Sequence, residues 1–155
     1  MFEQARPDTP PGEAVIAGGG TFSANPMSAT AGLATLDVIE SEPVHDRTER
    51  RAHRLRQGLQ ACYDACGIDA TVLGASSLFL SHFHPAGPLE TVEDVETNTD
   101  RPGLIAFHEQ LRRHGIYLLP GHMGSISYQT TTDHVDAFVD AARIVADDLQ
   151  SEGVL

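Results

Sequence analysis

A glycine-rich segment near the start of the chain has the composition of a phosphate-binding site. Residues 18–26 read GGGTFSANP, so three glycines and two hydroxyl side chains directly precede Asn25 and Pro26. Glycine lets the main chain approach an anion closely, and the backbone N–H groups at a helix start attract negative charge. Asn25 can cap a helix and Pro26 suits its first position. The alternative is a glycine-rich turn into a capped helix without a ligand.

Histidines are the other residues that could do chemistry. In a strand, His82 and His84 would point to opposite faces, and His108, His114 and His122 fall in other segments. Because structural zinc normally takes four ligands at close local spacings, this pattern favours hydrogen-bonded or surface histidines over a metal site. Among them, His122 follows Pro120 in a loop and is the best placed to face a substrate.

The two cysteines and the arginines have simpler interpretations. Cys62 and Cys66 lie four residues apart in a helical pattern, a spacing that rarely meets disulfide geometry, so we expect buried thiols. An arginine cluster on the same helix could bind an acidic partner, but a solvated helix face is favoured. Its members are Arg47, Arg50, Arg51, Arg54 and Arg56.

The elements that must position these residues mix helices with strands. Helices are predicted over 26–40, from Glu42-Pro43 to Gly67, from Arg101-Pro102 to Gly115, and from a cap at Thr132 onward. One or two strands are predicted over 71–83, and short strands over 15–17, 116–119 and 125–129. An exposed lead-in covers the first twelve residues, and a turn-rich acidic connection covers 85–100. The pattern predicts an α+β fold without internal repeats.

Composition limits the possible classes of function. The 155 residues suffice for one domain, and the formal net charge of −12 disfavours binding to nucleic acid. No apolar run approaches the roughly 20 residues of a membrane span, and residues 1–7 lack the features of a secretory signal. We therefore expect a cytoplasmic protein that binds neither membranes nor nucleic acid.

Residues 20–36 carry a resemblance to a known family. The block Gly20 to Pro26, followed by AGLATL over 31–36, resembles the G-T-x-x-x-N-P…A-x-L-A segment of class III aminotransferases, which depend on pyridoxal phosphate. It is most similar to the branch that contains glutamate-1-semialdehyde aminomutase. The likeness extends through Leu78-Phe79 and residues 115–120 to the last helix. It implies the C-terminal small domain of a fold type I transferase, with a long linking helix, a small sheet and covering helices.

The resemblance also implies site residues and a domain division. In that family the threonine of the G-T motif binds the cofactor phosphate across a dimer, and the matching residue here is Thr21, with the backbone of Gly20 beside it. Residues 1–25 then correspond to a lead-in and the end of the cofactor domain, and 26–155 to the small domain. The implied partners are a second copy or a lysine-bearing N-terminal polypeptide, together with a small amino or carbonyl substrate.

Two departures from the family pattern affect the expected activity. The sequence contains no lysine, whereas the family's Schiff-base lysine lies upstream of the G-T motif. Arginine stays protonated and cannot replace it, so no catalytic residue is assigned and the chain alone is expected to be an inactive fragment. The aminomutase pattern also carries a glutamate at the position of Gly124, which favours a broader aminotransferase. The alternative is a non-enzymatic remnant or interaction module without a cofactor.

Overall fold

The computed structural model describes residue 20 and residues 25–83 and 89–155. The chain divides into two compact units, Met1–Glu42 and Pro43–Leu155. The predicted lead-in over 1–12 and the strand over 15–17 lie outside the described residues. Among the residues that are described, no helix is long and apolar enough to cross a membrane.

The first unit contains one described helix, α1, which spans Pro26–Ser41. Its start and length confirm the prediction of a helix over 26–40. Asn25 is the N-cap and Pro26 occupies the first turn, where a missing N–H costs no hydrogen bond. No residue of α1 is buried, and Met27, Leu33 and Leu36 are largely exposed. This helix is therefore not stabilised by a buried apolar face among the described residues.

The second unit begins with the longest helix, α2, over Val44–Cys66. Gly67 ends it in the left-handed conformation, with φ of 70°, as the sequence predicted. Five apolar residues of α2 recur at spacings of three and four and are buried, apart from the partly buried Cys66; they are Ala52, Leu55, Leu59, Cys62 and Cys66. They form the face of α2 that packs on the rest of the unit, and both cysteines are free thiols.

A small antiparallel sheet lies beside α2. Strands β1, Ala70–Leu73, and β2, Leu78–Phe83, pair with Thr71 opposite His82, which confirms two strands in the predicted segment. The third strand, β3, is the two-residue pair Gly124–Ser125, and Phe79 lies opposite Gly124. The order is β1-β2-β3. Alternate residues Phe79, Ser81 and Phe83 of β2 face the core.

Three helices complete the unit. They are α3, Val92–Asn98; α4, Arg101–Arg113; and α5, Thr132–Ser151. The predicted α4 and α5 are confirmed, although Thr131 and not Thr132 is the N-cap of α5. The buried hydroxyl of Tyr63 lies 3.0 Å from that of Ser81, and the rings of Tyr63, Phe83 and Phe107 meet edge to face at 5.2–5.7 Å. These rings join α2, the sheet and α4 into one core.

Three segments differ from their predicted structure. Helix α3 lies inside the predicted connection, where Thr91 and Asp94 form a capping box. Residues 116–119 form no strand, because Ile116 N–H donates to Leu111 and the carbonyl of Leu119 accepts from His122. These local turns use one N–H and one carbonyl of the segment that a strand would pair. Within 125–129 only Ser125 belongs to a strand.

Candidate functional site

The first candidate site is the segment before α1, where the phosphate-binding composition occurs. The side chain of Asn25 accepts hydrogen bonds from the N–H groups of Met27 and Ser28, at 2.9 and 3.3 Å. The Asn25 carbonyl accepts the N–H of Ala29 at 3.0 Å, and Pro26 has no N–H. Asn25 therefore occupies every donor of the first turn. An anion near this helix would have to bind residues that precede Asn25, and not the helix end itself.

The predicted site residues lie in that preceding segment. Gly20 is exposed. Thr21 lies outside the described residues, together with the three residues that follow it, and so does His84. The assignment of Thr21 and Gly20 to a cofactor phosphate therefore stays a prediction. The first-turn N–H groups of α1 are already hydrogen-bonded and are not available to the same phosphate.

A second candidate region is the turn after Leu119. Pro120 and Gly121 are its central residues; Gly121 has φ of 73°, and His122 N–H donates to the Leu119 carbonyl at 3.0 Å. This is the pattern of a type II turn, which requires glycine or asparagine at its third position. The side chain of His122 is exposed at the end of this turn.

A cleft of about 280 Å³ lies against this turn. Pro120 and Gly121 form one side, and His82, Thr99 and Arg101 contribute polar groups to its lining. His82 is 4% exposed, and its Nδ1 lies 3.3 Å from the Thr99 hydroxyl. Apolar residues of α3 and α4 supply much of the remaining wall. The cleft has the composition of a small-molecule site, an apolar lining with a few polar groups.

Two of the remaining candidates for chemistry, His108 and Cys62, are buried structural groups. His108 is buried and its Nδ1–H donates to the Leu104 carbonyl at 2.8 Å, and burial lowers its pKa. Burial raises the pKa of the Cys62 thiol to about 11, so it is protonated and a poor nucleophile at neutral pH. His114 and His122 are exposed in separate turns. Across the described ranges, no three His, Cys, Asp or Glu side chains are placed to hold a metal ion.

The arginine cluster on α2 is not the simple solvated face that the sequence favoured. The guanidinium of Arg47 lies over the Tyr128 ring, 5.3 Å from its centroid, and binds the Tyr128 hydroxyl. Arg51 donates to the Tyr128 carbonyl at 3.0 Å. Arg54 forms two hydrogen bonds with Asp136, at 2.7 and 2.9 Å. These contacts attach α2 to the segment before α5 and to α5 itself.

Arg56, the last of the five, points to the sheet. Its Nη1 donates to the carbonyls of Ser76 and Leu78, at 3.0 and 2.8 Å. Only Arg50 of the cluster lacks an ion pair or hydrogen bond with the described part of the chain. The spacing of the arginines predicts that they share a helix. It cannot predict their hydrogen-bond partners, which belong to other segments of the chain.

Gly124 is the residue predicted to stand where the aminomutase pattern has a glutamate. It is buried in β3, opposite Phe79. A Cβ at residue 124 would lie 2.2 Å from Cζ of Phe79, and two further ring atoms are within 2.7 Å. Real Cβ atoms do not approach ring carbons so closely. The Phe79 ring thus fills the space that a side chain at this position would need.

Curated relatives of the chain are aminomutases. The glutamate-1-semialdehyde 2,1-aminomutase of Thermomicrobium roseum is 31% identical over 145 residues, which cover 92% of this chain and 32% of that protein. The enzyme of the same name from Methanopyrus kandleri is 36% identical over 101 residues, or 64% of this chain and 23% of that protein. The chain spans about a third or less of the length of these relatives. No protein-family model matches it.

Solved structures share the fold. A transaminase with pyridoxal phosphate bound matches with a TM-score of 0.74 and 21% identity, over 96% of this chain and 33% of that one. An omega-transaminase from Sphaerobacter thermophilus matches with a TM-score of 0.70 and 30% identity, over 88% of this chain and 31% of that one. These findings confirm the predicted fold class and the resemblance to part of a pyridoxal-phosphate-dependent aminotransferase or aminomutase.

Proposed function

We propose that this chain is the small-domain part of a class III aminotransferase, similar to glutamate-1-semialdehyde aminomutase, that exchanges an amino group between an amino compound and a carbonyl compound. The observation that carries the proposal is the 31% identity to an aminomutase over 92% of the chain. In this assignment, residues 1–25 end the cofactor domain and residues 26–155 form the small domain. A polypeptide that bears the missing lysine completes the site, and a second copy of the chain is the other proposed partner.

The chain contains only some of the residues that a pyridoxal phosphate site needs. When bound, this cofactor supplies the electron sink for the exchange of an amino group. Thr21 would donate its hydroxyl hydrogen to the phosphate, and the backbone of Gly20 would contribute beside it. The occupied donors of α1 support this assignment, because they leave the contact to residues before Asn25. The sequence holds no lysine, so the amine that bonds the cofactor covalently must come from outside it.

The cleft beside Pro120 is the proposed wall of the substrate site. Arg101 provides a positive charge at its lining, and Val95, Leu104 and Ile105 provide apolar contacts. Such a surface holds the carbon chain of a small substrate and excludes water from it. The Phe79 ring against Gly124 leaves no room for the glutamate of the aminomutase pattern, which favours a transaminase with broader substrates.

The proposal can be tested with a chimera in which this chain replaces the aligned segment of the Thermomicrobium roseum aminomutase. The chimera should retain pyridoxal phosphate after dialysis, in about one equivalent per chain, as measured by absorbance. The 155-residue chain alone serves as the control and should retain none. A chimera that is folded by circular dichroism but retains no cofactor would support the non-enzymatic module instead.

A further inference from the structure

Four arginines line one side of a cleft between α2 and the start of α5. Arg47, Arg50, Arg51 and Arg54 follow the spacing i, i+3, i+4, i+7, which places them along one stripe of a helix. The cleft measures about 370 Å³, and Thr132, the first residue of α5, forms its opposite side. Four of the ten arginines of this strongly acidic chain therefore line a single cleft.

The positive charge of this cleft is only partly neutralised. Asp136 pairs with Arg54, and the hydrogen bond between them lowers the pKa of the Asp136 carboxyl. Arg51 donates to a backbone carbonyl, which is a neutral acceptor and leaves its charge in place. Arg50 is exposed and forms no ion pair with the described residues. At least two guanidinium charges of the cleft therefore have no carboxylate partner among the described contacts.

The start of α5 adds donors to the same cleft. Thr131 caps the helix by accepting the N–H of His134 with its hydroxyl and that of Val135 with its carbonyl. This leaves the N–H groups of Thr132 and Asp133 without a hydrogen-bond partner in the described part of the chain. Free N–H groups and the helix dipole favour an anion at this end, against the exposed carboxylate of Asp133 in the same turn.

Two of the four arginines, Arg47 and Arg51, are restrained before any ligand binds. The contacts of Arg47 and Arg51 with Tyr128 restrain both side chains. Restraint of this kind lowers the conformational entropy that a side chain loses when it binds an anion. Planar guanidinium groups suit phosphate oxygens in particular, because two N–H groups can bind two oxygens of one phosphate.

We propose that this cleft binds a small anion with more than one phosphate group. A single phosphate would engage few of the available donors, whereas a diphosphate can reach both the arginine stripe and the start of α5. Nucleic acid is a poor ligand because the net charge of −12 repels a long phosphate backbone. The site lies wholly within the second compact unit and does not depend on the proposed function.

Titration of the 155-residue chain with inorganic pyrophosphate, without magnesium and at fixed low ionic strength, tests the site. Calorimetry should show saturable binding, and Arg50→Gln should weaken it about threefold to tenfold, in the range of one partly exposed ionic contact. Arg112→Gln removes the same charge from an exposed position on α4 and should leave the affinity unchanged. In amide NMR spectra, the shifts should concentrate at Thr132 and Asp133.

Three results would overturn the proposal. One is the absence of saturable binding by the unaltered chain. Another is an equal loss of affinity in the Arg50 and Arg112 variants, which would indicate general attraction to charge. The third is binding of citrate as tight as that of pyrophosphate, which would exclude selectivity for phosphate.

Discussion

The ring of Phe79 occupies the space into which a side chain at Gly124 would extend, with 2.2 Å between Cζ and an ideal Cβ. The two residues face each other across the short ladder between β2 and β3. Phe79 is 5% exposed and also packs edge to face on Phe138 of α5, at 5.7 Å. The Phe79 ring therefore packs against β3 on one side and Phe138 on the other. Because it cannot move aside, only glycine fits at residue 124.

Gly124→Glu should therefore destabilise the chain strongly. We expect a loss of about 3 kcal/mol or more, since the change forces the core apart and buries a carboxylate. Urea denaturation followed by circular dichroism measures the effect. In a Phe79→Ala background the same substitution should cost much less, because the ring is gone. An equal cost in both backgrounds would show that the ring is not the obstacle.

The two longest helices, α2 and α5, also pack closely at a glycine. A Cβ at Gly58 of α2 would lie 2.6 Å from Cγ2 of Val139 on α5. Gly58→Ala should destabilise the chain by about 1–2 kcal/mol, because β-branched valine moves little to make room. In a Val139→Ala background it should instead stabilise by up to about 1 kcal/mol, the helix preference of alanine over glycine. Thermal unfolding of the four proteins tests this reversal, and a stabilising effect in both backgrounds would contradict it.

Stability should depend on pH through His108. Burial lowers the pKa of this histidine below its ordinary value of 6.5. Well above pH 6.5 the ring is neutral in both the folded and the unfolded chain. As the pH falls from 6.5 through the lower folded value, the unfolded chain takes up the proton first, and stability decreases.

The variant His108→Gln keeps an N–H that can reach the Leu104 carbonyl but cannot titrate. Its free energy of unfolding should decrease less than that of the unaltered chain between pH 7.5 and 5, when both are measured in urea. Parallel pH profiles of the two proteins would show that His108 does not contribute.

The helices could be predicted because their signals are local. In α5, buried residues recur at spacings of three and four, and Gly67 ends α2 by a conformation that glycine adopts easily. Helix α3 was missed because no residue of it is buried, so the sequence carries no apolar stripe. The segment 116–119 is apolar, as a strand would be, but its backbone bonds to local turns.

A candidate site could be predicted from the sequence only where its residues belong to a recognisable motif. Thr21 follows from the resemblance of residues 20–26, and the proposed site also needs a lysine that this sequence does not contain. The cleft around Arg50 has no such motif. It arises because Tyr128 and Thr132, about 80 residues away in the chain, meet the arginine stripe of α2.

The most direct test of the central claim is the effect of Thr21 on cofactor affinity. In the chimera with the Thermomicrobium roseum aminomutase, Thr21→Val should weaken pyridoxal phosphate binding about tenfold or more, the value of a hydrogen bond to a charged group. Thr30→Val is the matched control, since the Thr30 hydroxyl donates to the Pro26 carbonyl within α1, at 2.8 Å, and has no other hydrogen bond with the described residues. It should leave the dissociation constant unchanged. Equal affinities of the unaltered and Thr21→Val chimeras would contradict the assignment of Thr21 to the cofactor phosphate.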